Sequence, residues 1–101
     1  MGVASLNGKR CLITGAASGI GRATAILAAS KGADLYLTDI AAEGLENAAA
    51  EIRAAGGRIS FAEPADLAQH EQVVALADRI HSEHGSMDVV MNIAGISTWG
   101  P

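Results

Sequence analysis

Short apolar runs alternate with longer amphipathic stretches along this chain, and the two rhythms predict different elements. Lys9 to Thr14 carries Cys11, Leu12 and Ile13 at its centre and reads as a strand whose middle is fully buried. Gly19 to Lys31 predicts a helix, ended by Gly32 at a position suited to a left-handed cap. Ala33 to Asp39 is a second strand, with Leu35, Tyr36, Leu37 and Thr38 in sequence. From Ala41 to Ala55, Leu45, Ala48, Ala49 and Ile52 share one face of a helix, which Gly56 and Gly57 end. Arg58 to Ala62 is a short third strand. Gln69 to His84 is a third helix with Val73, Leu76, Ala77 and Ile80 on its apolar face, stopped by Gly85. Met87 to Asn92 is a fourth strand with Val89, Val90 and Met91 at its centre.

The order is βαβαβαβ. Strands joined through helices run parallel, and such crossovers are right-handed. The pattern therefore predicts a Rossmann-type α/β fold, a doubly wound parallel sheet with helices on both faces. No linker, repeat or low-complexity stretch interrupts it, so residues 1–101 are expected to belong to one domain. Half of the residues are hydrophobic and 18% are charged, which suits a buried core, and with aromatics at 3% that core is built from Ala, Val, Ile and Leu. A formal net charge of −4 offers no basic surface for a nucleic acid. Cys11, the one cysteine, sits inside an apolar run and is expected in the core rather than as a reactive thiol. Met1 to Lys9 lacks an apolar signal-peptide core, and Leu6 occupies the place where a myristoylation signal needs Ser or Thr. With no run long enough to span a bilayer, a cytoplasmic protein with no membrane partner is expected.

Chemistry concentrates where the first strand meets the first helix. Thr14-Gly15-Ala16-Ala17-Ser18-Gly19-Ile20-Gly21 places free backbone N–H groups and the positive end of a helix dipole at one spot, which binds phosphate. Gly15 permits the sharp turn out of the strand. Gly19 lets the backbone approach a pyrophosphate, and Gly21 lets the helix pack closely on the sheet. Ser18 adds a hydroxyl donor. A nucleoside-triphosphate loop would end in Gly-Lys-Ser/Thr, but Arg22 follows Gly21 here. Asp39 ends the second strand, where a carboxylate accepts hydrogen bonds from adenosine ribose hydroxyls and repels a 2′-phosphate. Its other reading is an N-cap of the next helix. No Arg or Lys follows in Ile40, Ala41 or Ala42, so NAD is expected in preference to NADP.

These residues resemble the short-chain dehydrogenase/reductase family. Thr14 to Gly21 matches its Thr-Gly-x-x-x-Gly-x-Gly cofactor motif in full. Asp66-Leu67 follows the third strand, where the family places an Asp that contacts adenine. Asn92-Ile93-Ala94-Gly95 follows the fourth and looks like the family's Asn-Asn-Ala-Gly segment, with Ile93 in place of the second Asn. The resemblance runs from about Asn7 to Ile96. It implies a strand order of 3-2-1-4 and a cofactor site made of Gly15, Ala17, Ser18, Gly19, Ile20, Gly21, Asp39, Ile40, Asp66, Leu67, Asn92, Ala94 and Gly95.

The resemblance also implies hydride transfer between NAD and an alcohol or carbonyl substrate, and a homo-oligomer in the full-length form. Catalytic members use a Ser and a Tyr-x-x-x-Lys pair downstream of the Asn-Asn-Ala-Gly-like segment. Tyr36, the one tyrosine, is followed at the fourth position by Ile40, and Ser97 and Thr98 do not match the catalytic serine. No catalytic residue is therefore assigned within residues 1–101, which are expected to form the amino-terminal half of a longer enzyme and to be inactive alone. Two other readings stay open: a dinucleotide-binding or sensor module without turnover, and an inactive fragment that associates through the open edge of its fourth strand. His81 and His84 read as polar residues favoured at a helix C-terminus rather than as metal ligands, and no metal is expected.

Overall fold

The computed structural model describes residues 5–93. Seven elements follow one another: β1 (Arg10–Thr14), α1 (Gly19–Ser30), β2 (Asp34–Asp39), α2 (Ala42–Ala54), β3 (Arg58–Pro64), α3 (His70–His84) and β4 (Val89–Asn92). The strands form one parallel sheet in the order β3-β2-β1-β4, as the resemblance implied. The fold is the doubly wound α/β arrangement that the alternation of apolar runs predicts.

Alternate residues of the central strands serve opposite faces. Cys11, Ile13, Leu35 and Leu37 pack on one face with Ala25 and Ala28 of α1 and Leu45 and Ile52 of α2. Tyr36 and Phe61 pack on the other with Leu76 and Ile80 of α3, and Leu12 joins them partly buried. Burying both faces explains why the strands read as continuous apolar runs. Cys11 lies in this core. Burial, and then the charges of Asp88 and Asp34, push its thiol pKa up, so it is a packing residue.

Two expectations need correction. The third strand runs on to Pro64 rather than stopping at Ala62, because Glu63 and Pro64 pair with Thr38 and Asp39 at the end of β2. Proline is tolerated there because β3 is an edge strand and its missing N–H breaks no ladder. The register also slips opposite Leu35 and Tyr36, leaving Ser60 between the pairs Leu35–Ile59 and Tyr36–Phe61. The Ser60 hydroxyl donates to Asp34 Oδ1 at 2.6 Å. On α3, Leu76 and Ile80 are buried, but Val73 and Ala77 of the same predicted face are exposed and border an open cleft. Tyr36 and Phe61 cluster with Leu76 and Ile80 alone on that helix.

Candidate functional site

The chain leaves β1 at Thr14 and must reverse sharply to start α1. It does so through Gly15 at φ 71° and Gly19 at φ 59°, backbone conformations that side chains rarely adopt. Between them, the Ala16 N–H donates to the Thr38 carbonyl at 3.2 Å and the Ala17 N–H to Asp39 Oδ2 at 2.9 Å. Ser18 is the extended N-cap of α1, but its hydroxyl makes no capping bond and stays exposed. The first-turn N–H groups of α1 have no acceptor within the helix and point out of its positive end.

The glycines divide their work differently from the sequence reading. A Cβ built on Gly19 meets nothing within 4 Å, so open space stands over the loop. A Cβ on Gly21 would lie 1.8 Å from the Gly15 carbonyl oxygen. Gly21 therefore makes room for the turn itself, not for helix-on-sheet packing.

Asp39 stands half-buried at the end of β2 and is tied at both oxygens, with Oδ1 accepting the Ala41 N–H at 2.9 Å. It is not the N-cap of α2, because Ala41 holds that position. Each carboxylate oxygen still has lone-pair capacity for a further donor. Beside it Ile40 is 68% exposed. Asp66 closes a turn by accepting the Ala68 N–H on Oδ1 at 3.0 Å, and its own N–H donates to Gln72 Oε1 at 2.8 Å.

Two hollows open along the C-terminal ends of the strands. The larger, about 660 Å³, is bordered by Gly15, Asp39, Ile40, Asp66, Leu67 and Asn92 and is mostly apolar at its far wall. The smaller, about 310 Å³, lies over Ser18, Gly19, Ile20 and Gly21. Gly15 and Asp39 border both, so the two hollows adjoin there as successive parts of one groove-lined edge of the sheet. It lies beside β1, where the order of strands reverses and ligands of such sheets bind.

The structure thus gathers most of the expected cofactor residues around one groove. Ala17 is the exception: it is 5% exposed, lines neither hollow, and its N–H is engaged by Asp39. Ala94, Gly95, Ser97 and Thr98 lie outside the described residues. Thr14 and Ile93, which belong to the two motifs but were not assigned to the cofactor site, border the groove as well. The Thr14 hydroxyl donates to Asn92 Oδ1 at 2.9 Å, linking β1 to β4 at their paired ends. The alternation Leu12, Thr14 along one strand and Val90, Asn92 along its neighbour is the signal that would have found this wall.

No Lys or Arg borders the smaller hollow among the described residues. Arg22, the nearest cation in sequence, bonds through Nε and Nη2 to Glu51 on α2. Positive potential over the loop therefore comes from backbone N–H groups and the α1 dipole. Tyr36 is 2% exposed and donates to Asp34 Oδ2 at 3.3 Å, away from the groove mouth. His84 packs edge-on against Tyr36 and Phe61, with ring centroids 5.0 and 6.3 Å away. Among the described residues no three His, Cys, Asp or Glu converge on one point.

A family model described as short chain dehydrogenase matches residues 9–101. A probable oxidoreductase, EphD, of Mycobacterium tuberculosis is 44% identical over 88 residues, which are 87% of this chain and 15% of that protein. A hydroxysteroid dehydrogenase structure from Escherichia coli superposes with a TM-score of 0.80 at 38% identity, over 87% of this chain and 37% of that one. A short chain dehydrogenase/reductase from Burkholderia phymatum, solved in complex with NAD, gives a TM-score of 0.77 at 35% identity, over 87% of this chain and 31% of that one. The chain spans 15% to 37% of the length of the curated relatives it matches.

Proposed function

Because this chain belongs to the short-chain dehydrogenase family, we propose that its groove binds NAD and presents the nicotinamide to an alcohol or carbonyl substrate. The carrying observation is the pair of adjoining hollows that run from Asp66 past Asp39 to the open N-terminus of α1. A dinucleotide has that order of parts: a flat apolar base, a hydroxyl-bearing ribose and a charged pyrophosphate.

The residues fit the cofactor on their own chemistry. Gly19 leaves the space that a pyrophosphate needs, and the N–H groups of α1 with the Ser18 hydroxyl are donors for its oxygens. Asp39 keeps lone pairs for the ribose hydroxyls. Ile40 and Leu67 supply apolar surface for the adenine and Asp66 a carboxylate at its edge. Asn92, oriented by Thr14, continues the wall at the end of β4. Asp39 also disfavours NADP, because its charge opposes a 2′-phosphate and Arg22, the nearby cation, is engaged by Glu51.

When bound, the nicotinamide accepts or donates a hydride. This chain's residues bind and orient it. The buried Tyr36 has no lysine four positions on and its hydroxyl is engaged by Asp34, so it does not fit the proton-transferring role. The same reading makes the protein a cytoplasmic enzyme that assembles as a homo-oligomer. Among the described residues no helix is long and apolar enough to cross a membrane.

Fluorescence titration with NADH and NADPH tests the proposal. NADH is expected to saturate and NADPH to bind at least about tenfold more weakly, the effect of about 1.4 kcal/mol. Tighter binding of NADPH, or no NADH saturation up to millimolar concentration, would overturn it.

A further inference from the structure

Ala17 sits in the middle of a loop whose next three residues face solvent, yet it is 5% exposed. Two hydrogen bonds from the end of β2 hold Ala16 and Ala17, and α2 approaches closely from one side. The Thr38 carbonyl takes the Ala16 N–H at 3.2 Å, and Asp39 Oδ2 takes the Ala17 N–H at 2.9 Å. The approach of α2 leaves little room at Gly44. A Cβ on Gly44, in the first turn of α2, would lie 3.2 Å from the Ala17 Cβ and 3.6 Å from its carbonyl oxygen. Asp39 is fixed in turn to the start of α2 by the Ala41 N–H at 2.9 Å.

We infer that Gly44 and Asp39 are positioning residues for the phosphate loop, docking Ala17 so that the N–H groups from Ser18 to Gly21 stay aimed at a pyrophosphate. For Asp39 this role is separate from contact with the ribose. The inference rests on the reading that the loop takes a pyrophosphate.

The physical case turns on which partner yields. The Ala17 methyl is fixed to the backbone and has no rotamer to escape into, so a methyl added at Gly44 must move either the loop or α2. Leu45, Ala48, Ala49 and Ile52 anchor α2, each at most 2% exposed. Ser18, Gly19 and Ile20 of the loop are exposed and pack on nothing that fixes them, so the loop moves. Its shift lengthens the Ala17–Asp39 bond and re-aims the neighbouring donors. No cation borders the smaller hollow among the described residues, so a phosphate there depends on those donors. The helix itself is not weakened, since Ala is a better helix former than Gly.

Calorimetric titration of the full chain and its Gly44→Ala variant with ADP and with adenosine tests this, together with hydrogen exchange of the Ala17 amide without ligand. ADP is expected to bind the variant about fivefold or more weakly, the range of one hydrogen bond, while adenosine binding stays within about twofold. The Ala17 amide is expected to exchange about tenfold faster in both Gly44→Ala and Asp39→Ala, so the second variant carries the test if the first does not fold. Equal ADP affinity in wild type and Gly44→Ala, an equal loss for ADP and adenosine, or an unchanged Ala17 exchange rate would each overturn the inference. A wild-type chain that does not bind ADP would instead sink the pyrophosphate reading, a result distinct from a wild type and variant that bind alike.

Discussion

Gly21 shows how much one missing side chain can decide. Its neighbour across the turn is a backbone carbonyl, and a Cβ would stand 1.8 Å from that oxygen. A backbone group cannot swing aside as a side chain end does. Gly21→Ala is therefore expected to open the turn, costing about 1–3 kcal/mol of stability as overpacking does, and to abolish NADH binding. Urea unfolding followed by circular dichroism, with NADH titration of the folded fraction, checks both. Normal binding by the variant would contradict the close approach. Sequence spacing pointed to Gly21, but which neighbour required glycine was decided by the path of the turn. Asp39 is similar. Its place at the end of a strand was legible, while its bonds to Ala17 and Ala41 depend on loop geometry that spacing does not encode.

At the scale of elements, β3 and α3 meet through a polar contact over an aromatic ring. Arg79 Nη2 donates to Glu63 Oε2 at 2.6 Å, and its guanidinium lies 5.6 Å from the Phe61 ring centroid. The hydrogen bond from Arg79 holds the Glu63 carboxyl below its ordinary value. A lowered folded pKa means that the pair adds stability above the ordinary carboxylate range, and that this contribution disappears as pH falls through the lowered pKa. Both groups are about half exposed, so the gain is small. Glu63→Gln is expected to lower the urea midpoint slightly at pH 7 and to leave it unchanged near pH 3. A difference of the same size at both values would exclude the ionic origin. The contact could not be read from sequence, because Glu63 enters β3 only through pairing with Thr38 on β2.

Over the whole molecule, the sheet is clothed by α1 and α2 on one face, while α3 leaves Val73, Ala77 and Val90 open beside the groove. A ligand in that groove would touch β1, β2, α3 and β4 together, so its binding energy acts on the folding of all of them. NADH at about 100 times its dissociation constant should stabilise the fold by about 2.7 kcal/mol. For a domain of this size that raises the melting temperature by roughly 10 °C or more. Differential scanning fluorimetry with increasing NADH reads the shift, and a melting temperature independent of NADH would contradict a site built across these elements.

The order of elements, their parallel pairing and the strand ends that carry Thr14, Asp39 and Asn92 were determined by the sequence alone. Apolar runs buried on both faces, broken by glycines, leave few other ways to satisfy both the backbone and the core. Tertiary structure decided what local periodicity cannot carry. It set how far β3 extends, since an edge strand lasts as long as its partner offers hydrogen bonds. It exposed half of the apolar face of α3, since coverage depends on which residues of the sheet reach that helix. It also buried Ala17 beneath its own loop, because the fit between Ala17 and Gly44 exists only once β1, β2 and α2 have come together.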